Sequence, residues 1–215
     1  MNLYLLMLFS HIFISHVIQE WDVHLLEKLN IHHAPIWDAA MNVVTYTAAY
    51  ITIAIPLICL IVAFTQKDAF LRIKAWFLIS CLVTASLLAS GIKQAVQRPR
   101  PWHSYQMIEK KTEGGGWSFP SGHTTGAFAL AFAMGVAFRK KKWMLPVMVG
   151  WACVVGYSRM DLGVHYPSDV LGGMLTAAAT VALNYLFFKK GFQRYRELWS
   201  YPYDTTKSDI QDSQS

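Results

Sequence analysis

The strongest constraint on this 215-residue chain is the stretch 43–64, VVTYTAAYITIAIPLICLIVAF, which carries no charged side chain. The hydrocarbon core of a bilayer is about 30 Å thick and needs roughly 20 apolar residues of helix to cross it. A helix is suited to that environment because it satisfies every backbone polar group internally. Residues 43–64 therefore predict a spanning helix, with Pro56 positioned to kink it. Residues 75–92 and 170–188 meet the same requirement. Two shorter stretches, about 124–138 and 143–158, flank the basic run Arg139, Lys140, Lys141, Lys142. Each reaches spanning length only if its helix continues into the polar residues at its far end. Residues 3–18, which include His11 and His16, are read as a retained first helix. An interfacial helix or a cleaved signal is the alternative, although no Lys or Arg precedes the apolar stretch and no Ala-x-Ala-like cleavage site follows it.

Composition agrees with this reading. The chain is 54% hydrophobic and 15% charged, against about 45–50% and 25% in soluble domains. A disordered chain would need the opposite balance. The three cysteines, Cys59, Cys81 and Cys153, all sit in apolar runs, which excludes a disulfide scaffold. The expected fold is all-α: a polytopic membrane protein forming a six-transmembrane-helix bundle. One membrane domain would cover residues 1–200, followed by a polar, disordered cytoplasmic tail over 201–215.

The net charge of +6 is distributed unevenly. With both termini on one side, that side receives twelve Lys and Arg against five acids, and the other side seven against eight. Short cytoplasmic loops carry the excess of basic residues, so the termini are expected in the cytoplasm. The run from Arg139 to Lys142 then reads as a topology signal, with an anionic-lipid site as the alternative. Positive charge spread over membrane loops gives no nucleic-acid-binding face.

Three polar clusters fall together on the opposite side. The first is Lys93 followed by Gln-Ala-Val-Gln-Arg98-Pro99-Arg100-Pro101, in which each proline pushes the residue before it out of helix. Lys93 and Arg100 could converge on an anion, or simply snorkel to the interface. The second is Phe119-Pro120-Ser121-Gly122-His123-Thr124, at the start of an apolar helix. Free N–H groups there make an anion site, and His123 can exchange a proton near neutral pH. An ordinary capped helix with a surface histidine is the plainer alternative. The third cluster runs from Ser158-Arg159 through His165 to Asp169. The i,i+4 spacing lets the carboxylate hold one imidazole nitrogen and leave the other as a nucleophile, unless the pair merely caps a helix. Taken together, the clusters suit displacement at phosphorus, where charge on the equatorial oxygens must be stabilised. Three fixed cations can do this without a metal, and the outer acids are too scattered for a two-metal site.

Lys-x6-Arg-Pro (Lys93, Arg100, Pro101), Pro-Ser-Gly-His (Pro120 to His123) and Ser-Arg-x5-His-x3-Asp (Ser158, Arg159, His165, Asp169) resemble the three-part signature of the type 2 phosphatidic acid phosphatase family. The resemblance implies that His165 is a nucleophile forming a phosphohistidine, with Asp169 orienting it. His123 would protonate the leaving oxygen and then activate water. Lys93, Arg100 and Arg159 would hold the phosphate, with the Ser121 hydroxyl and backbone N–H groups at Ser121 and Gly122 assisting. Ser158 would supply a supporting hydrogen bond, and Arg98 a contact behind the site or to a headgroup. No metal or cofactor is implied.

The expected activity is hydrolysis of a lipid phosphate or pyrophosphate at the extracytoplasmic face of a bacterial inner membrane. Undecaprenyl pyrophosphate is the leading substrate; phosphatidylglycerol phosphate, phosphatidic acid and lipid A phosphate stay open. A phosphotransferase using the same phosphohistidine, and a non-catalytic lipid binder or transporter, are the alternatives. The expected partners are the lipid substrate and the bilayer, with no nucleic acid; oligomeric state is left open. His24, His32, His33 and His103 are read as interfacial or loop residues, Gly172 and Gly173 as helix packing, and Trp21, Trp37, Trp102 and Trp117 as interfacial anchors. Trp102 and the loop Glu113–Trp117 are candidates for a lid over the headgroup.

Overall fold

The computed structural model describes residues 3–31 and 34–200, with side chains over 16–31 and 34–194. The expectations for His32, His33 and the tail 201–215 lie outside the described residues. Among those residues the chain is helical, without strands: α1 Leu3–Leu29, α2 Pro35–Thr65, α3 Ala69–Val96, α4 Pro101–Ser104, α5 Gly122–Ala137, α6 Met144–Asp161 and α7 Pro167–Ser200. Three stretches are long and apolar enough to cross a membrane: Pro35–Thr65, Ala69–Ser104 and Pro167–Arg194. They contain the three longest apolar segments of the sequence. Helix α2 runs unbroken through Pro56.

Helices α5 and α6 do extend into their polar motifs. The first begins at Gly122, and the second passes through Ser158 and Arg159 to Asp161. At 16 and 18 residues and 1.5 Å per residue they are about 24 and 27 Å long. Helix α5 lies at the centre of the bundle, packed against α2, α3, α6 and α7. Its small residues Ala127, Ala129, Ala131 and Ala133 are fully buried, so neighbours approach it on all sides. A second layer of core, around Phe77, Leu78, Cys81 and Val181, joins α3, α5 and α7. The outside is as apolar as the inside. Val43, Tyr50, Ile53, Ile58 and Ile61 on α2, Leu87 on α3 and Leu175 and Phe187 on α7 all project outward. A contiguous apolar exterior on helices of this length is a lipid-facing surface, and the chain is an integral membrane protein.

Helix direction decides where the polar motifs go. Helices α3 and α6 end, and α5 and α7 begin, at the same end of the bundle. The left-handed conformation of Gln97 (φ 50°) stops α3 just past Lys93, and Arg100 is extended (φ −77°, ψ 155°). That matches the break expected from the two Arg-Pro pairs. Gly172 and Gly173 fit the packing role assigned to them. A Cβ on Gly172 would run into the Phe119 ring, and one on Gly173 would lie 2.9 Å from the Ser121 carbonyl. Helix α7 is therefore seated directly against the segment that opens α5.

Candidate active site

Asp169, in the first turn of α7, is fully buried and accepts hydrogen bonds on both carboxylate oxygens. Its Oδ2 takes the Ser118 hydroxyl, the Tyr166 N–H at 2.8 Å and His165 Nδ1 at 3.3 Å. Its Oδ1 takes Arg98 at 2.9 Å. The other ring nitrogen of His165, Nε2, lies 3.4 Å from Arg100 Nη1. A guanidinium can only donate and a carboxylate can only accept. The two neighbours therefore fix one tautomer: Nδ1 carries the proton, and the Nε2 lone pair faces the cationic side. Burial pushes the His165 imidazole down to about 3, helped by the charges of Arg100 and Arg159 and opposed by Asp169. At neutral pH the ring is uncharged and Nε2 is free to act as a nucleophile.

Three cations gather on that side. Lys93 donates to the carbonyls of Trp117 at 2.7 Å and Ser118 at 3.4 Å. Arg100 donates to the carbonyls of Gly115, Gly116 and Val164 at 2.7, 3.0 and 2.9 Å. Arg159, only 3% exposed, donates to Thr45 Oγ1 at 2.6 Å, and its Nε has no hydrogen-bond partner among the described residues. Each lies within electrostatic reach of the others. Among the described residues none of the three forms an ion pair with a carboxylate. Burying charge without a counter-ion is costly, and the buried Arg100 and Arg159 with the partly buried Lys93 make this end of the bundle strongly cationic.

His123 completes the ring. It is half-buried in the first turn of α5, lies in the field of Arg159, Arg100 and Lys93, and its ring makes no hydrogen bond among the described residues. The helical ladder of α5 starts with Thr125 N–H to the Ser121 carbonyl at 2.9 Å. The N–H groups of Gly122, His123 and Thr124 precede it and point out of the helix end. The Ser121 N–H, expected to face phosphate, is instead committed to the Asp169 carbonyl at 3.0 Å. The Ser121 hydroxyl accepts from Thr124 Oγ1 at 2.8 Å, which leaves its own proton to donate. Ser158 Oγ donates to the Val155 carbonyl at 2.7 Å, so it secures the end of α6 and does not face the cations.

Several participants had no signal in the sequence motifs. Ser118 lies two residues before Pro120 and shares Asp169 Oδ2 with His165. Asp22 comes from α1, far away in sequence; a buried acid beside an apolar stretch was its only mark. It accepts Ser168 N–H at 2.8 Å, the Ser168 hydroxyl, and Arg98 at 2.6 Å. Arg98 thus bridges two buried carboxylates, Asp22 and Asp169, also reaches Gln19 and Ser168, and stacks 3.8 Å over Tyr166. Its donors point behind the site and away from any headgroup. The glycine loop considered as a lid is pinned, because Lys93 and Arg100 hold its carbonyls and a Cβ on Gly114 would meet Arg100 Nη1 at 2.9 Å.

A helical bundle with a lipid-facing exterior, and a cluster of three cations around a neutral histidine at one end of it, define an integral membrane protein with a cationic site. Residues 74–193 match the PAP2 superfamily. The chain belongs to this family of type 2 phosphatidic acid phosphatases. It is 28% identical over 164 residues to the lipid A 4'-phosphatase of Bacteroides thetaiotaomicron, covering 72% of this chain and 71% of that one. It is 37% identical over 91 residues to the undecaprenyl-diphosphatase BcrC of Bacillus subtilis, covering 42% and 44%. The crystal structure of a PAP2-type phosphatidylglycerolphosphate phosphatase from Bacillus subtilis superposes with a TM-score of 0.69 at 22% identity, covering 81% and 87%.

Proposed function

We propose that this protein is a metal-independent lipid phosphatase working through a phosphohistidine on His165. The observation that carries the reading is a set of three cations without carboxylate partners among the described residues, the buried Arg100 and Arg159 and the partly buried Lys93, gathered where His165 Nε2 presents its lone pair. His165 Nε2 attacks phosphorus, forming the N–P bond as the bond to the lipid oxygen breaks. With the substrate's anionic charge offsetting the cations that disfavour a charged ring, His123 takes up a proton and delivers it to that leaving oxygen. Water then attacks the phosphohistidine, His123 takes the water's proton, and the N–P bond breaks to release phosphate. Lys93, Arg100, Arg159 and the N–H groups opening α5 bear the charge on the equatorial oxygens in both steps. Asp169 stabilises the imidazole as positive charge develops on it.

The substrate is a lipid carrying a terminal phosphate, and undecaprenyl pyrophosphate remains the leading case. The likeness to the Bacillus subtilis undecaprenyl-diphosphatase supports it, and the longer match to a lipid A 4'-phosphatase keeps lipid A phosphate alongside. The six-span topology, with termini in the cytoplasm and the site at the outer face of a bacterial inner membrane, rests on the charge split between the two sides.

The test is purified protein in detergent with chelator present, assayed on lipid phosphates and pyrophosphates, beside His165→Ala. Phosphate release by the parent and none by the variant is the expected result. Wild-type turnover by His165→Ala, or release that depends on added metal, would overturn the mechanism.

A further inference from the structure

A cavity of about 840 Å³ lies at the opposite end of the bundle, between the start of α3, the end of α5 and the second half of α7. Helix α5, about 24 Å long, separates it from the phosphate site. Its walls carry Lys74, Arg139, Lys140, Lys141 and Lys189. The only carboxylate on the wall among the described residues, Asp68, is occupied in capping α3, accepting the N–H groups of Phe70 at 2.9 Å and Leu71 at 3.0 Å. None of the five cations forms an ion pair among the described residues. Lys74 is held between two aromatic rings, with Nζ 4.2 Å from the centre of Phe70 and 4.7 Å from that of Phe138. The floor is apolar, with Val136, Ala137 and Phe192.

A run of basic residues alone needs no ligand, because membrane topology accounts for it. Topology does not account for a cavity, for an aromatic clasp on Lys74, or for the convergence of cations from α3, the α5–α6 loop and α7 around one apolar floor. An open basic rim above an apolar floor, at the end of membrane-spanning helices, matches one kind of molecule: an amphiphile with a phosphate headgroup and acyl chains. We propose that this cavity binds an anionic phospholipid in the leaflet opposite the phosphate site. The headgroup sits among Lys74, Arg139 and Lys189, and the bound lipid ties α3, α5 and α7 together.

The test reads thermal unfolding of the full chain, so it does not depend on the catalytic proposal. Wild type, Lys74→Ala/Lys189→Ala and the conservative Lys74→Arg are compared in phosphatidylcholine nanodiscs, in nanodiscs containing phosphatidylglycerol, and in phosphatidylcholine with inorganic phosphate. Phosphatidylglycerol should raise the wild-type midpoint by roughly 5 °C, as expected for a ligand well above its dissociation constant. Lys74→Arg should keep that shift, and the double variant should lose it while unfolding normally in phosphatidylcholine. Equal midpoints for wild type in the two lipids, or a shift the double variant retains, would overturn the site. If the double variant does not fold, Lys74→Gln takes its place under the same criterion. An equal, Lys74-dependent shift with inorganic phosphate alone would refute the lipid assignment in favour of a soluble anion.

Discussion

Arg98→Met keeps an unbranched stem of similar length and removes the guanidinium that joins Asp22 to Asp169. Both carboxylates are fully buried, and each would keep its other donors: Ser168 for Asp22, and Ser118, Tyr166 and His165 for Asp169. Removing one partner of a buried ion pair costs about 3–5 kcal/mol, because the other charge stays behind uncompensated. Two charges are left here, but the remaining hydrogen bonds offset part of the loss, so the same range applies. In a chain of this size it lowers Tm by roughly 6–20 °C. Catalysis should suffer separately. Outer partners that orient a working histidine are typically worth about 10- to 100-fold, so kcat should fall by that much. KM should hold, because both terminal nitrogens of Arg98 are spent on protein groups. Arg98→Lys, a single point charge, cannot bridge both carboxylates and should recover only part of kcat. The assay is steady-state kinetics with a thermal melt on each variant, repeated in the Asp22→Asn background, where losses should be less than additive. An unchanged kcat, or a rise in KM like that of an Arg100 variant, would refute the positioning role.

Gly114→Ala forces a methyl to within 2.9 Å of Arg100 Nη1 and 3.1 Å of Val164 Cγ1. Overpacking of this kind costs about 1–3 kcal/mol, and a phosphate-release assay should show a lower kcat/KM; an unchanged value would mean that Arg100 can move freely. Stability should fall on acidification because of His165, whose imidazole is held at about 3 in the folded protein. The unfolded chain takes up that proton near pH 6.5, so the loss begins there as pH falls and continues toward 3. By pH 5 it amounts to about 2 kcal/mol. Melts of wild type against His165→Gln should converge as pH drops, and parallel curves would contradict a neutral buried ring. For orientation, in a chain freed of Cys59, Cys81 and Cys153, Ser104→Cys should react with an impermeant thiol reagent on intact cells, and Ser208→Cys only after lysis. The reverse pattern would invert the proposed topology.

The parts of the molecule that could be read in advance were those encoded locally. Residues 43–64, 75–92 and 170–188 announced their helices because crossing a membrane needs a length of apolar chain, and length is visible in one dimension. The contact between His165 and Asp169 was visible for a similar reason, since i,i+4 spacing across a helix start fixes the distance. Asp22 and Thr45 were not visible. Each reaches the site from a helix far away in sequence, and its role exists only once α1 or α2 is packed against α6 and α7. Ser121 shows a subtler limit. Its place at the start of α5 was foreseen, but its N–H went to the Asp169 carbonyl because Gly173 lets α7 come close.

The distinction between Arg98 and Arg100 shows how the fold assigns function to charge. Two residues apart, both precede proline and both are largely buried, and only the spacing from Lys93 in the family signature separates the arginine that would hold substrate from its structural neighbour. The difference lies in what each meets. Arg98 turns toward α1 and α7, where two carboxylates neutralise it and make it part of the scaffold. Arg100 meets only carbonyls and the lone pair of a neutral histidine, which orient it without discharging it. Lys93 and Arg159 are held in the same way, by a carbonyl pair and a threonine hydroxyl. A site whose cations were matched by carboxylates would have to break those pairs to admit phosphate. Here the orienting partners are neutral, so in the proposed reaction an arriving dianion would gain the attraction of three preset charges with no ion pair to displace, which is the electrostatic preorganisation that phosphoryl transfer requires.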